Sequence, residues 1–185
     1  MLLSFFTLLL ALALDYRFAE PRRFHPLVGF GRYADLIQQA LNRSSKKRDQ
    51  FISGIVAVLL AVTPFVGFII IVQHSMPVIV NLVIDAVLLY LCIGWASLQQ
   101  HARAISAELQ VNQLDPAREQ LGRIVSRDTQ QLDSTQISQA SVESVLENSS
   151  DALFATIFWF MIAGAEGAVL HRLVNTLDAM WGYKT

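Results

Sequence analysis

FISGIVAVLLAVTPFVGFIIIV, residues 51–72, runs for 22 positions without a charge. PVIVNLVIDAVLLYLCIGWASL, residues 77–98, is equally long, and only Asn81 and Asp85 interrupt it. At 1.5 Å per residue, either stretch can cross about 30 Å of hydrocarbon. Only Gln73-His74-Ser75-Met76 lies between them, so the pair forms an antiparallel hairpin. Backbone polar groups inside a bilayer must be satisfied internally, which leaves helices as the spanning option for two isolated runs. The fold class read from this stretch is all-α, an integral membrane helical protein with a helical cytoplasmic loop.

Working outward, residues 1–14 are apolar but short, and they read as a retained first membrane helix. A run of bases follows them where a signal peptide would have a small-residue cleavage site. Residues 152–173 form a third long apolar segment, taken as a span, although Gly164, Glu166 and Gly167 point to a broken or re-entrant helix. The expected spans are 1–14, 51–72, 77–98 and 152–173, in a single membrane domain over residues 1–185. Loops 15–50 and 99–151 lie on one side and together hold 12 of the 14 Lys and Arg residues. The positive-inside rule places both in the cytoplasm, making this a multi-pass protein of the cell inner (cytoplasmic) membrane with the lipid bilayer as a partner.

Composition supports this and removes other classes. Of 185 residues, 54% are hydrophobic and 16% charged, against about a quarter charged in soluble domains. The net charge of −1 supplies no basic field for nucleic acid. The single cysteine, Cys92, lies in an apolar run, which excludes a disulfide framework or a cysteine metal site. Nothing in the pattern fixes an oligomeric state. Within the loops, Arg32–Leu41 reads as a short helix and residues 42–49 as a basic linker able to touch anionic lipid. Asp115-Pro116 reads as N-cap and first position of a helix with Leu121, Ile124 and Val125 on its apolar edge. A second loop helix is expected over Ser134–Asn148.

Candidate chemistry gathers at the membrane boundaries. Glu143, Glu147 and Asp151 follow one another at i, i+4 and i+8, so a helix lines them on one face near Asn148. Their mutual repulsion would be relieved by a cation, and oxygen ligands of this kind suit Mg²⁺ completed by substrate phosphates. The plainer alternative is a solvated acidic face. Arg127 offers a guanidinium fork for phosphate beside Asp128, and ranks above Arg123, which has Glu119 four residues earlier as a helix partner. Asn175 and Asp178, at i and i+3, would bind a polar group or cap a helix. His101, just past a membrane helix, is a candidate general base. Asp85 lies mid-span, where an acid is costly. Neither GxGxxG nor GxxxxGK[ST] is present, so a nucleotide site is not visible as a motif.

Taken together, several stretches resemble the CobD/CbiB family of cobalamin-biosynthesis membrane proteins. They are Leu14-Asp15, Glu20-Pro21-Arg22, His25-Pro26 with Gly29-Phe30-Gly31-Arg32, His101-Ala102, Ser126-Arg127-Asp128-Thr129, Glu143-Ser144 with Glu147-Asn148, and Asn175-Thr176-Leu177-Asp178 with Gly182-Tyr183. The resemblance implies adenosylcobinamide-phosphate synthase, a carbon-nitrogen ligase. It would join a carboxylate of adenosylcobyric acid to the amine of aminopropanol or its phosphate, with Mg²⁺ and ATP. On that resemblance Glu143, Glu147 and His101 are catalytic candidates, and Arg127, Asp128, Asn148, Asn175 and Asp178 are substrate-binding candidates. Glu143, Glu147 and Asp151 are the metal candidates. The AmpE-type membrane proteins, similar in architecture, give the alternative of a non-catalytic sensor or scaffold. This chain departs from the family pattern at Ser126, Leu146, Glu166 and His171. Family members continue beyond the Gly-Tyr stretch, so a C-terminal part is expected to be lacking.

Overall fold

The computed structural model describes residues 2–21, 25–41 and 47–182. Arg22, Ser45, Tyr183 and residues 42–46 of the basic linker lie outside the described residues. Within them the chain is helical, in eight α-helices and one π-helical turn. They are α1 (Leu2–Phe18), α2 (Pro26–Leu41), α3 (Lys47–Ser75), α4 (Val78–Cys92), α5 (Trp95–Gln110), α6 (Leu114–Leu121), α7 (Ser134–Ser149), the π-turn Ser150–Ala155 and α8 (Thr156–Trp181).

Among the described residues three segments are long and apolar enough to cross a membrane: Gln50–Ser75, Val78–Gln110 and Ser134–Trp181. Large apolar side chains are left uncovered on the helices of this layer, as a lipid-facing surface requires. Leu2, Phe5 and Leu9 on α1, Phe51, Leu59 and Phe68 on α3, and Val83 on α4 all face outward, as do Phe154 and Ile162 farther along the chain. By contrast α5, α6 and α7 bury a small core of their own, made of Ile105, Ala117, Leu121, Ile137 and Ala140. The molecule thus has a membrane layer and a polar helical layer against one side of it.

The segment read as a crossing at 152–173 does not form one continuous helix. Ala163 (φ −131°, ψ 21°) and Gly164 (φ 67°) break α8 into arms 156–162 and 165–181. A straight helix would hold residues 151 and 171 about 30 Å apart. Instead His171 Nε2 lies 3.0 Å from the Asp151 carbonyl oxygen, so the second arm folds back along the first. A Cβ on Gly167 would stand 2.6 Å from the Trp159 carbonyl oxygen, so only glycine admits this approach. The segment is a re-entrant hairpin that returns residue 178 to the side it left.

Other boundaries moved for local reasons. α2 begins at Pro26 rather than Arg32, because the His25 ring Nδ1 accepts the Leu27 N–H at 3.2 Å and caps the first turn, with proline at the first helical position. Asp115 is not the N-cap of α6. The helix starts at Leu114, and Asp115 pairs with Arg118 at 2.7 Å. The linker read to residue 49 ends sooner, since α3 starts at Lys47. Helix α7 starts at Ser134 as expected, held by a capping box between Asp133 and Gln136.

Candidate functional site

The end of α1 ties the two layers together. Asp15 is 1% exposed, and its Oδ2 accepts the backbone N–H of Ala96 at 2.9 Å. Gly94, at the N-cap of α5, offers no side chain, so a carboxylate from another helix supplies the cap. The Tyr90 hydroxyl donates to the Ala19 carbonyl at 2.7 Å and anchors the chain as it leaves α1. Glu20 follows at once and stands 3.5 Å from His25 Nε2. Burial pushes the His25 imidazole below its usual range. The Glu20 carboxylate works against that shift, and the Arg172 guanidinium adds to it.

Helix α7 brings Glu143, Glu147 and Asn148 to the boundary, and the π-turn adds Asp151. A π-turn inserts a residue into the helical ladder and is frequent at functional positions. Here it leaves the Asp151 carbonyl to meet both His171 and, at 3.4 Å, the Thr156 hydroxyl. The second arm of the hairpin contributes Asn175 and Asp178. The turn after α6 contributes Arg127. These seven side chains line one cavity of about 490 Å³, walled also by Ile124, Val125 and Ser126. The sequence candidates therefore converge from three separate segments.

Not every candidate joins them. Asp128 Oδ1 accepts the Gln130 N–H at 2.9 Å in a local turn, and Asp128 is outside the cavity lining. His101 lines a neighbouring cavity of about 390 Å³, which shares Ile124, Val125, Ser126 and Asn148 with the first. Arg127 is not a free fork, because it pairs with Glu143 at 2.7 Å across to α7. Arg123 pairs with Glu119 at 2.8 Å, as their spacing foretold. Asn148 donates to the Ser144 carbonyl at 2.8 Å, which fixes its amide where the two cavities meet.

Glu143, Glu147 and Asp151 are not drawn together around one point in the described structure. Among the described residues no three His, Cys, Asp or Glu side chains are grouped to hold a metal ion. Positions i and i+8 on a helix stand about 12 Å apart along its axis, and Arg127 engages Glu143. The donor set still suits a hard cation in another way, since Mg²⁺ commonly takes one or two carboxylates and completes its shell with phosphate oxygens. Glu147, Asp151 and Asp178 are the carboxylates not engaged by an ion pair here. The sequence reading named Glu20 only within a family stretch and passed over Arg172, yet both line the His101 cavity. Arg172 carried a usable signal, being a lone base at the end of an apolar run.

The family model described as "CobD/Cbib protein" matches residues 8–185. A "Cobalamin biosynthesis protein CobD" of Chromobacterium violaceum is 44% identical over 179 residues, covering 95% of this chain and 57% of the relative. One of Stutzerimonas stutzeri is 46% identical over 180 residues, covering 97% and 58%. A "Probable cobalamin biosynthesis protein CobD" of Thermococcus kodakarensis is 38% identical over 178 residues, covering 95% and 58%. The chain thus spans less than two thirds of the length of these relatives. No solved structure matches.

Proposed function

The chain belongs to the CobD/CbiB family, and from that premise we propose that it acts in cobalamin biosynthesis, forming an amide between adenosylcobyric acid and aminopropanol or its phosphate. The observation that carries this reading is the convergence of Arg127, Glu143, Glu147, Asn148, Asp151, Asn175 and Asp178 on one cavity at the membrane boundary.

Ligation of a carboxylate to an amine makes two demands. The amine arrives as an ammonium ion and must be held and deprotonated. The carboxylate is a poor electrophile and must be activated. Mg-ATP, when bound, supplies that activation. Asp151 and Asp178 would hold the cation. Four carboxylates against Arg127 alone give the cavity a negative character that draws an ammonium group. A carboxylate bonded to that ammonium orients it and first accepts one of its protons, which frees the nitrogen lone pair to attack. Glu143 is fixed by Arg127, so the less encumbered Glu147 is assigned this role. His101 stands as the base of the adjoining cavity.

The test is turnover of adenosylcobyric acid, aminopropanol phosphate and Mg-ATP in membranes carrying the protein, with the amide product identified by mass. Glu147→Gln should lower turnover at least tenfold at unchanged expression, since one charged hydrogen bond is worth about 1.5–3 kcal/mol. A solvated face would tolerate the change within about 0.5 kcal/mol. Absence of product from the wild-type protein would overturn the assignment.

A further inference from the structure

Arg172 is a half-buried cation without a partner among the described residues. It sits on the second arm of the re-entrant hairpin. Its Nε is fully screened from solvent and donates to nothing, and its guanidinium makes no ion pair among the described residues. Nη2 lies 3.9 Å from where a Cβ on Gly94 would stand, at the foot of α5. Screening the Arg172 Nε from water without an acceptor is a cost to the fold. The cavity of about 390 Å³ it lines also holds Arg123, His101, Ser97 and Asn148 against a single carboxylate, Glu20. Across Asn148 and Ser126 lies the acidic cavity, with the opposite charge.

We propose that the Arg172 cavity is a binding site for a phosphate-type oxyanion, with Arg172 as its principal ligand and Asn148 at the junction with the acidic cavity. A guanidinium fork presents fixed N–H pairs that match phosphate oxygens. A bound oxyanion would give this guanidinium the partner that it lacks among the described residues. The phosphate has two sources, a phosphorylated amine or a nucleotide. The amine source rests on the function proposed above, whereas the oxyanion site does not.

The site is tested on the purified chain in a phosphate-free detergent, with binding followed by ³¹P line broadening and by thermal melting. Inorganic phosphate should bind saturably to the wild type. Arg172→Met should weaken that binding at least tenfold, while Arg103→Met, at an exposed base outside both cavities, changes it less than twofold. Arg172→Met should also raise the melting temperature of the ligand-free protein, because it removes an uncompensated charge. Arg172→Lys should retain part of the binding and show that the variant site is folded. If the amine is the source, aminopropanol phosphate binds tighter than inorganic phosphate, and Glu147→Gln erases only that advantage. If a nucleotide is the source, ATP gains the advantage instead, and Glu147→Gln leaves phosphate itself unaffected. Wild-type indifference to phosphate, equal losses in Arg172→Met and Arg103→Met, or a lower melting temperature with binding intact would each overturn the proposal. Phosphate binding without ligation would remove the proposed function and leave this site standing.

Discussion

Pro64 sits inside α3 and cannot donate a hydrogen bond, so the carbonyl of Leu60 one turn earlier loses its usual partner. The Tyr33 hydroxyl reaches across from α2 and donates to that carbonyl at 3.2 Å. Tyr33→Phe should therefore cost about 1 kcal/mol, and the cost should shrink toward zero in a Pro64→Ala background, where the helix regains its own bond. Denaturation of the four proteins of this cycle in detergent measures the coupling, and equal losses in both backgrounds would show that the hydroxyl serves another purpose. His25 gives a pH-dependent case. Its folded pKa lies below the unfolded value of about 6.5, so its contribution is fully present above that value. It is lost as pH falls below it toward the folded value, because protonating Nδ1 ends the cap on Leu27. His25→Asn keeps a capping acceptor that does not titrate. The difference in melting temperature between wild type and His25→Asn should therefore move against the wild type from pH 7.5 to 5.5, and a constant difference would remove the imidazole from this role. Neither contact was legible in the chain. Pro64 and Tyr33 are far apart in sequence, and His-Pro at 25–26 reads as extended loop until the ring is seen to cap the helix.

At the scale of elements, the re-entrant hairpin depends on two glycines for different reasons. Gly164 adopts φ 67°, a region that L side chains rarely occupy, while Gly167 lets the Trp159 carbonyl approach to where a Cβ would be. Gly167→Ala should be the worse substitution, because its clash is with backbone and no rotamer relieves it. Gly164→Ala meets the flexible end of Glu166 together with the strain of its dihedral. A melting series should place Gly167→Ala lowest, by several degrees, and the two changes should be less than additive because either opens the same turn. Full additivity would mean that the two arms do not act as one unit. Gly164, Glu166 and Gly167 had already suggested a break in an apolar run, since glycine and a buried acid both weaken a continuous span. The direction of the second arm was not legible, because only the approach of His171 to Asp151 reveals the fold-back. The same limit applies to the site. Periodicity placed Glu143, Glu147 and Asp151 on one helix face, yet only tertiary packing brings Asn175 and Asp178 beside them and sends Arg127 to Glu143.

For the whole molecule, chain direction and surface chemistry give one arrangement relative to the bilayer. The α3–α4 turn at residues 75–77 is at one end of the apolar layer, and the polar layer of α5, α6 and α7 is at the other. Because α8 doubles back, residue 178 shares a cavity with residues 127, 143 and 147, so the polar layer and the end of α8 must face the same compartment. A continuous crossing at 152–173 would put them on opposite sides. The charge pattern predicts that this compartment is the cytoplasm, since loops 15–50 and 99–151 hold most of the bases and basic loops tend to stay there. The prediction is tested by single cysteines at Ser138 on α7, Asp178 on α8 and Ser75 at the turn, in a Cys92→Ser background. An impermeant thiol reagent added to intact spheroplasts should label the cysteine at 75 and spare those at 138 and 178, whereas permeabilised cells should show all three. Labelling at 138 and 178 with protection at 75 would invert the orientation but keep the hairpin. Protection at 138 with labelling at 178 would restore a true crossing, and it would separate Asn175 and Asp178 from the carboxylates of α7 on which the assigned chemistry depends.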